Sequence, residues 1–214
     1  MLALPAEPRR LPQRHLRPRK RLRTRRLRPR PQSPSRLTTT ARLTALPAGQ
    51  GPVPPPIRRS VSQPALLFVC LGNICRSPLA EAAFRRRAAE AGLACTADSA
   101  GTGNWHVGSP PDPRAVAEAA RHGIDITPYR GRQVAKADFT RFTHILALDT
   151  QNLADLTRLT PPGATASLAL LLDHVPGRYG QPVADPYWGE AEDFMRTWEE
   201  VDEAARALVT LLKR

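Results

Sequence analysis

The sequence predicts an α/β protein: a doubly wound, four-stranded parallel sheet with helices on both faces, preceded by a disordered basic tail. Three observations carry this prediction. Short apolar runs alternate with amphipathic helical stretches, as they do in parallel sheets joined by crossover helices. The first run, Leu66–Val69, leads through a Gly-Asn turn into a helix start at Ser77-Pro78. The composition also changes abruptly near residue 63, which divides the chain into an extension over 1–62 and one domain over 63–214.

The extension is rich in Arg and Pro. It holds sixteen Lys and Arg against a single acid, Glu7, so the chain's formal charge of +13 belongs to it and the remainder is slightly acidic. Twelve of the 23 prolines and no aromatic residue lie there. Such a segment buries too little apolar surface to offset the entropy of ordering its backbone. Three readings compete. It is an unfolded or misassigned upstream extension, an electrostatic arm for nucleic acid or acidic membrane, or a targeting peptide. Without aromatics to stack on bases, nucleic-acid binding through it would be non-specific and salt-sensitive. No apolar run approaches the length needed to span a membrane. Three cysteines without a signal peptide fit a reducing compartment, so the cytoplasm is the expected location.

The domain reads in order as follows. Leu66–Val69 is a buried strand. A helix follows, with Ser77 as N-cap, Pro78 in the first turn, an apolar stripe of Ala80, Ala83, Phe84, Ala88 and Ala91, and Gly92 as its stop. Residues 94–99 form a short strand. Asp112-Pro113 starts a second helix, which Gly123 ends. Thr143–Leu148 is the third strand, a helix covers Thr150–Leu159, and Ser167–Leu172 is the fourth strand. The last helix, about Glu190 to Leu212, is marked by Phe194, Trp198, Val201, Ala205, Leu208 and Leu212 at steps of four and three.

The loop from Cys70 to Ser77 carries chemistry. Gly72 and Asn73 are the residue types that most readily accept positive φ. A loop from strand to helix aims backbone N–H groups and a helix N-terminus at one point, which forms an anion site. Cys70 opens the loop and Arg76 closes it. Amide dipoles and a guanidinium around a cysteine favour its thiolate. Arg76 offers a planar fork of donors suited to two phosphate oxygens. Read from the residues alone, the site is a thiolate nucleophile beneath a bound oxyanion.

Cys70 to Pro78 resemble the active-site loop of the low-molecular-weight protein tyrosine phosphatases, in which Cys, five residues, Arg and Ser follow one another. Asp185-Pro186-Tyr187-Trp188-Gly189 resembles the segment bearing that family's catalytic acid, and Asp98–Trp105 is a third match. The resemblance covers residue 64 to the C-terminus. It implies hydrolysis of phosphotyrosine through a cysteinyl-phosphate, with a phosphotyrosine protein, a tyrosine kinase among the candidates, as partner. Cys70 is then the nucleophile, Arg76 the dianion clamp and Asp185 the general acid and base. The backbone of Leu71, Gly72, Asn73, Ile74, Cys75 and Arg76 would line the oxyanion site. Ser77 would hydrogen-bond the Cys70 sulfur, and Trp105, Tyr187 and Trp188 would wall the pocket against a flat phenyl ring. Asn73, Ser99 and a histidine hold the loop in that family. Here Tyr129 occupies the histidine's place, and a tyrosine hydroxyl can donate and accept but cannot act as a cation. Cys75 is either a small loop filler or the partner of Cys70 in a reversible protective disulfide. Cys95 reads as a core residue.

Neither a metal nor a cofactor is expected, since His15, His106, His122, His144 and His174 show no ligand spacing. His106 reads as a surface residue near the rim. Three rivals remain. Arsenate reductases of this fold need further cysteines, and none follows Cys95. Protein-arginine phosphatases of the family tend to carry Thr where Ile74 stands, and have a smaller, more acidic pocket. A non-catalytic phosphopeptide binder would have no need of Cys70, Arg76 and Asp185 together.

Overall fold

Strand β1 (Ala65–Cys70) lies at the centre of a sheet whose neighbours all run parallel to it. The computed structural model describes residues 63–214. The tail, with its expected disorder, its nucleic-acid reading and its targeting reading, lies outside the described residues. The elements that follow β1 are α1 (Arg76–Glu90), β2 (Thr96–Gly101), α2 (Pro113–Arg121), α3 (Asp138–Arg141), β3 (His144–Ala147), α4 (Thr150–Leu159), β4 (Ser167–Leu170) and α5 (Ala191–Leu212). The strand order is β2-β1-β3-β4, so the chain reverses its winding direction between β1 and β3. Ligands bind at that switch point, beyond the carboxyl ends of the strands. Cys70 ends β1, and Asp149 follows β3 by two residues.

β1 is an almost continuous apolar run because both of its faces are covered. Leu66 and Phe68 face a layer with Leu79, Phe84, Trp198 and Leu208 from α1 and α5. Leu67 and Val69 face Phe139, Phe142 and Leu156 from α3, α4 and the intervening turn. Phe84 is fully buried, and its ring lies 5.6 Å from that of Phe68. Truncating it to Ala would cost about 3–5 kcal/mol. α1 and α5 are also tied by Arg87, whose Nε and Nη2 each donate to Asp202 at 2.7 Å.

Several boundaries differ from the sequence reading, and β3 is one residue shorter at each end than the expected Thr143–Leu148. β2 runs two residues later than expected, because its pairing with β1 extends to Cys70 opposite Gly101. β4 stops at Leu170, and Leu171–His174 turn into a 3₁₀ helix. Helix α1 starts at Arg76, with Cys75 at its N-cap and no side-chain capping bond. Ser77 is therefore not the cap: it lies inside the first turn, where its hydroxyl is free for another partner. Among the described residues no helix is long and apolar enough to cross a membrane.

Candidate active site

The phosphate loop is shaped by one residue in the left-handed region, Asn73 at φ 57°. Asn is among the few non-glycine residues that tolerate this conformation. Gly72 was expected to share it but does not. A Cβ there would stand a tight 3.1 Å from Cδ2 of His106, so the glycine lets that ring lie close to the loop. A Cβ on Gly101 would come 2.8 Å from the Leu71 carbonyl, so the end of β2 also presses on the loop. Thr102 and Gly103 donate their backbone N–H groups to the carbonyls of Cys70 and Leu71, both at 2.9 Å.

The sulfur of Cys70 is buried among donors. The Asn73 backbone N–H donates to it at 3.3 Å, and the Ser77 hydroxyl lies 3.1 Å away. Asn73 Nδ2 donates to Ser77 Oγ at 2.9 Å, which occupies an acceptor position of that oxygen. The single hydroxyl proton is then free for the sulfur; its alternative, the Ala100 carbonyl, is farther at 3.4 Å. Asn73 Oδ1 accepts the backbone N–H of Arg132 at 2.9 Å. The Arg132 side chain is itself fixed by Asp98 and Asp138, each at 2.9 Å.

Arg76 is 3 % exposed and its guanidinium is divided between two carboxylates. Nη1 donates to Asp149 Oδ2 and Nη2 to Asp185 Oδ2, both at 2.7 Å. Nε is buried and has no partner. An unpaired buried donor of a charged group is costly unless something fills the space before it. An oxyanion cradled by the loop would do so.

The cavity above holds about 270 Å³ and is lined by Cys70, Leu71, Gly72, Ile74, Cys75, Arg76, Trp105, His106, Asp185, Tyr187 and Trp188. Trp105 and Trp188 are mostly exposed at its mouth. The Tyr187 and Trp188 rings meet edge-on, with centroids 4.9 Å apart. Gly103 makes room for Trp105, whose ring would overlap any Cβ there. Burial, with the Asp112 charge adding to it, pushes the Cys75 thiol up, so Cys75 stays protonated where Cys70 faces donors.

Several expected roles change place. Asn73 and Ser77 do not line the cavity; they are buried behind it and hold the sulfur. Ser99 and Tyr129 make no hydrogen bond to Asn73. Both lie near Glu81 instead, and burial, reinforced by the Glu81 charge, pushes the Tyr129 hydroxyl up to about 12. The Arg132 backbone N–H takes their expected place at Asn73 Oδ1. Asp149 was missed, although an Asp-Thr pair just after an apolar strand signals a helix N-cap at a sheet's carboxyl edge. His106 lines the cavity and was undervalued, since a lone histidine carries no spacing signal.

A buried thiol held by a loop amide and a hydroxyl beside a buried guanidinium, on the switch point of a parallel sheet, defines a thiol-based phosphate-site protein. The profile of the low molecular weight phosphotyrosine protein phosphatases matches residues 65–214, and the chain belongs to that family. A Schizosaccharomyces pombe member is 43% identical over 132 residues, which is 60% of this chain and 84% of that protein. The crystal structure of YfkJ from Bacillus subtilis superposes with a TM-score of 0.66 at 37% identity, covering 71% of this chain and 96% of that one. A Drosophila arginine phosphatase also reaches 0.66, at 30% identity, covering 70% and 98%.

Proposed function

We propose that the protein hydrolyses phosphotyrosine in proteins through a cysteinyl-phosphate. The observation that carries this reading is the pairing of a buried, donor-ringed Cys70 sulfur with an unpartnered Arg76 Nε beside the same cavity. The dianion would take Nε and the loop N–H groups of Leu71 to Arg76, which stabilise the equatorial oxygens as charge develops. Cys70 attacks phosphorus in line, and the bond to the phenolic oxygen breaks. Asp185, displaced from Arg76 by the arriving phosphoryl group, takes up a proton from solvent and gives it to that oxygen. The same carboxylate then takes a proton from water. The water attacks phosphorus, the thiophosphate bond breaks, and phosphate and the Cys70 thiolate are released.

The aromatic walls Trp105, Tyr187 and Trp188 and the apolar Ile74 offer stacking and apolar contact to a phenyl ring. The structural similarity to an arginine phosphatase keeps phosphoarginine as the second reading. A phosphotyrosine protein is the expected partner, and the three unpaired cysteines support a reducing compartment such as the cytoplasm. The test compares phosphotyrosine and phosphoarginine peptides as substrates of the wild type and Cys70→Ser. Turnover of phosphotyrosine, lost in the variant, is expected. Preference for phosphoarginine would overturn the substrate assignment, and full activity of Cys70→Ser would overturn the nucleophile.

A further inference from the structure

Arg114 stands at the second position of α2, where a cation opposes the helix dipole. Its side chain turns away from its own helix. Nε and Nη2 grip both oxygens of Asp112 at 3.0 and 2.9 Å. Nη1 donates to the Gly189 carbonyl at 2.7 Å, and Nη2 also donates to the Tyr187 carbonyl at 3.0 Å. The guanidinium lies over the buried Phe194 ring of α5, 4.7 Å from its centroid. The carbonyls it holds belong to the turn that carries Asp185. Within that turn the Tyr187 N–H donates to Asp185 Oδ1 at 3.2 Å, and Gly189 N–H closes onto the Pro186 carbonyl at 2.9 Å. On the other side, the Asp112 backbone N–H donates to the Ile74 carbonyl of the phosphate loop at 2.8 Å.

We propose that Arg114, oriented by Asp112, is a positioning residue that holds the Asp185 turn in register with the phosphate loop. The inference rests on Asp185 being the general acid. A chain of hydrogen bonds then joins the loop that binds the phosphoryl group to the carboxyl that protonates its leaving oxygen. Such registration matters because proton transfer needs hydrogen-bond reach, and a displacement of about 1 Å can cost roughly 10²-fold. The planar fork is required. It meets a carboxylate and two carbonyls at fixed angles, which a lysine ammonium cannot do.

The test measures single-turnover phosphorylation of the enzyme with phenyl phosphate and p-nitrophenyl phosphate. Wild type, Arg114→Met and Arg114→Lys are compared, each with and without Asp185→Ala. Arg114→Met should slow phenyl phosphate roughly 10- to 100-fold and the nitrophenyl ester less. Arg114→Lys should recover only part of the loss. In the Asp185→Ala background neither Arg114 change should have a further effect. An Arg114 effect that persists there, or that is equal for both leaving groups, overturns the proposal alone. Insensitivity of Asp185→Ala itself to the leaving group overturns the acid reading, and the proposal with it. If thermal denaturation shows Arg114→Met to be unfolded, Arg114→Lys and Asp112→Asn carry the same comparison.

Discussion

Asp149 and Arg76 share an ion pair at 2.7 Å between residues 73 positions apart, one following β3 and the other opening α1. The other Asp149 oxygen accepts the backbone N–H of Asn152 at 2.7 Å, so the same carboxylate caps α4. The cap fixes the carboxylate, and the carboxylate fixes the guanidinium. The phosphate clamp is thus anchored to the far side of the switch point rather than to its own loop.

Removing that anchor should separate the two duties. Asp149→Ala loses both and should cost about 1 kcal/mol of stability through the cap. With Arg76 free to swing, kcat/KM should fall roughly 10²-fold. Asp149→Asn keeps a good cap, so it should recover that part of the stability while its activity still falls. Urea unfolding and steady-state kinetics on the two variants decide this. Wild-type activity in Asp149→Asn would show that the charge does not hold Arg76.

Ser77 makes a second test, because the helix does not use it as a cap. Ser77→Ala removes the hydroxyl beside the Cys70 sulfur and leaves Asn73 Nδ2 without its acceptor. A hydrogen bond to a charged group contributes about 1.5–3 kcal/mol. Alkylation of Cys70 by iodoacetate and kcat/KM for an aryl phosphate should therefore both drop by roughly 10- to 100-fold. Equal alkylation rates in the two proteins would remove Ser77 from thiolate support.

Most of this site was legible from the sequence because it is local. The strand, the loop and Arg76 lie within twelve consecutive residues, and their order alone implies an anion site. The Asp185 turn was legible through the family resemblance. What escaped was set by tertiary register. Nothing near Arg132 says that its backbone N–H meets Asn73, and nothing near Asp112-Pro113-Arg114 says that the guanidinium crosses to Tyr187 and Gly189. The cap pattern at Asp112 was read correctly as a helix start. Its second use depends on α2 lying beside the turn before α5, which local propensity does not encode. Ser77 was misread in one role only: it does not cap α1, whereas the contact with the Cys70 sulfur that the resemblance implies is present at 3.1 Å.

Cys75 leads to a redox prediction. Burial keeps it a thiol, so peroxide should attack Cys70 first, giving a sulfenic acid and water. Attack by the Cys75 sulfur on the sulfenic sulfur would then form a disulfide and release a second water. Wild-type enzyme inactivated by peroxide should regain activity with dithiothreitol, whereas Cys75→Ser should lose much of that recovery. Mass spectrometry should find the Cys70–Cys75 link in the wild type. Equal recovery of both proteins would return Cys75 to the role of loop filler.

Glu81 gives a pH dependence with a definite sign. Its carboxyl is buried, and burial pushes it above the usual carboxylate range despite the Ser99 and Arg85 contacts. In the unfolded chain it titrates near its ordinary value of about 4.3. The folded state therefore binds the proton more tightly, and its stability is greatest below that value. Stability is lost as pH rises through the raised folded value and is level beyond it. Glu81→Gln should lack this decline. Urea midpoints between pH 4 and pH 8 test it, and parallel curves for both proteins would rule the burial penalty out.

Asp185 occupies a position that gives two readouts from one change. As general acid it matters most where the leaving group is basic. A tyrosine phenolate, with a pKa near 10, needs protonation as the P–O bond breaks. Asp185→Ala should lower phosphotyrosine turnover by roughly 10²–10⁴-fold, and the first step with a nitrophenyl ester should suffer less. The second readout comes from the ion pair. Asp185 holds Arg76 Nη2 at 2.7 Å, a donor that the phosphoryl group would otherwise take. Phosphate binding must displace that carboxylate, so its removal should make inorganic phosphate a tighter competitive inhibitor even as turnover falls. A merely structural turn residue would weaken both. Loss of phosphate affinity together with an equal rate drop for every leaving group would remove Asp185 from the acid's role and send the search to another carboxyl at the cavity.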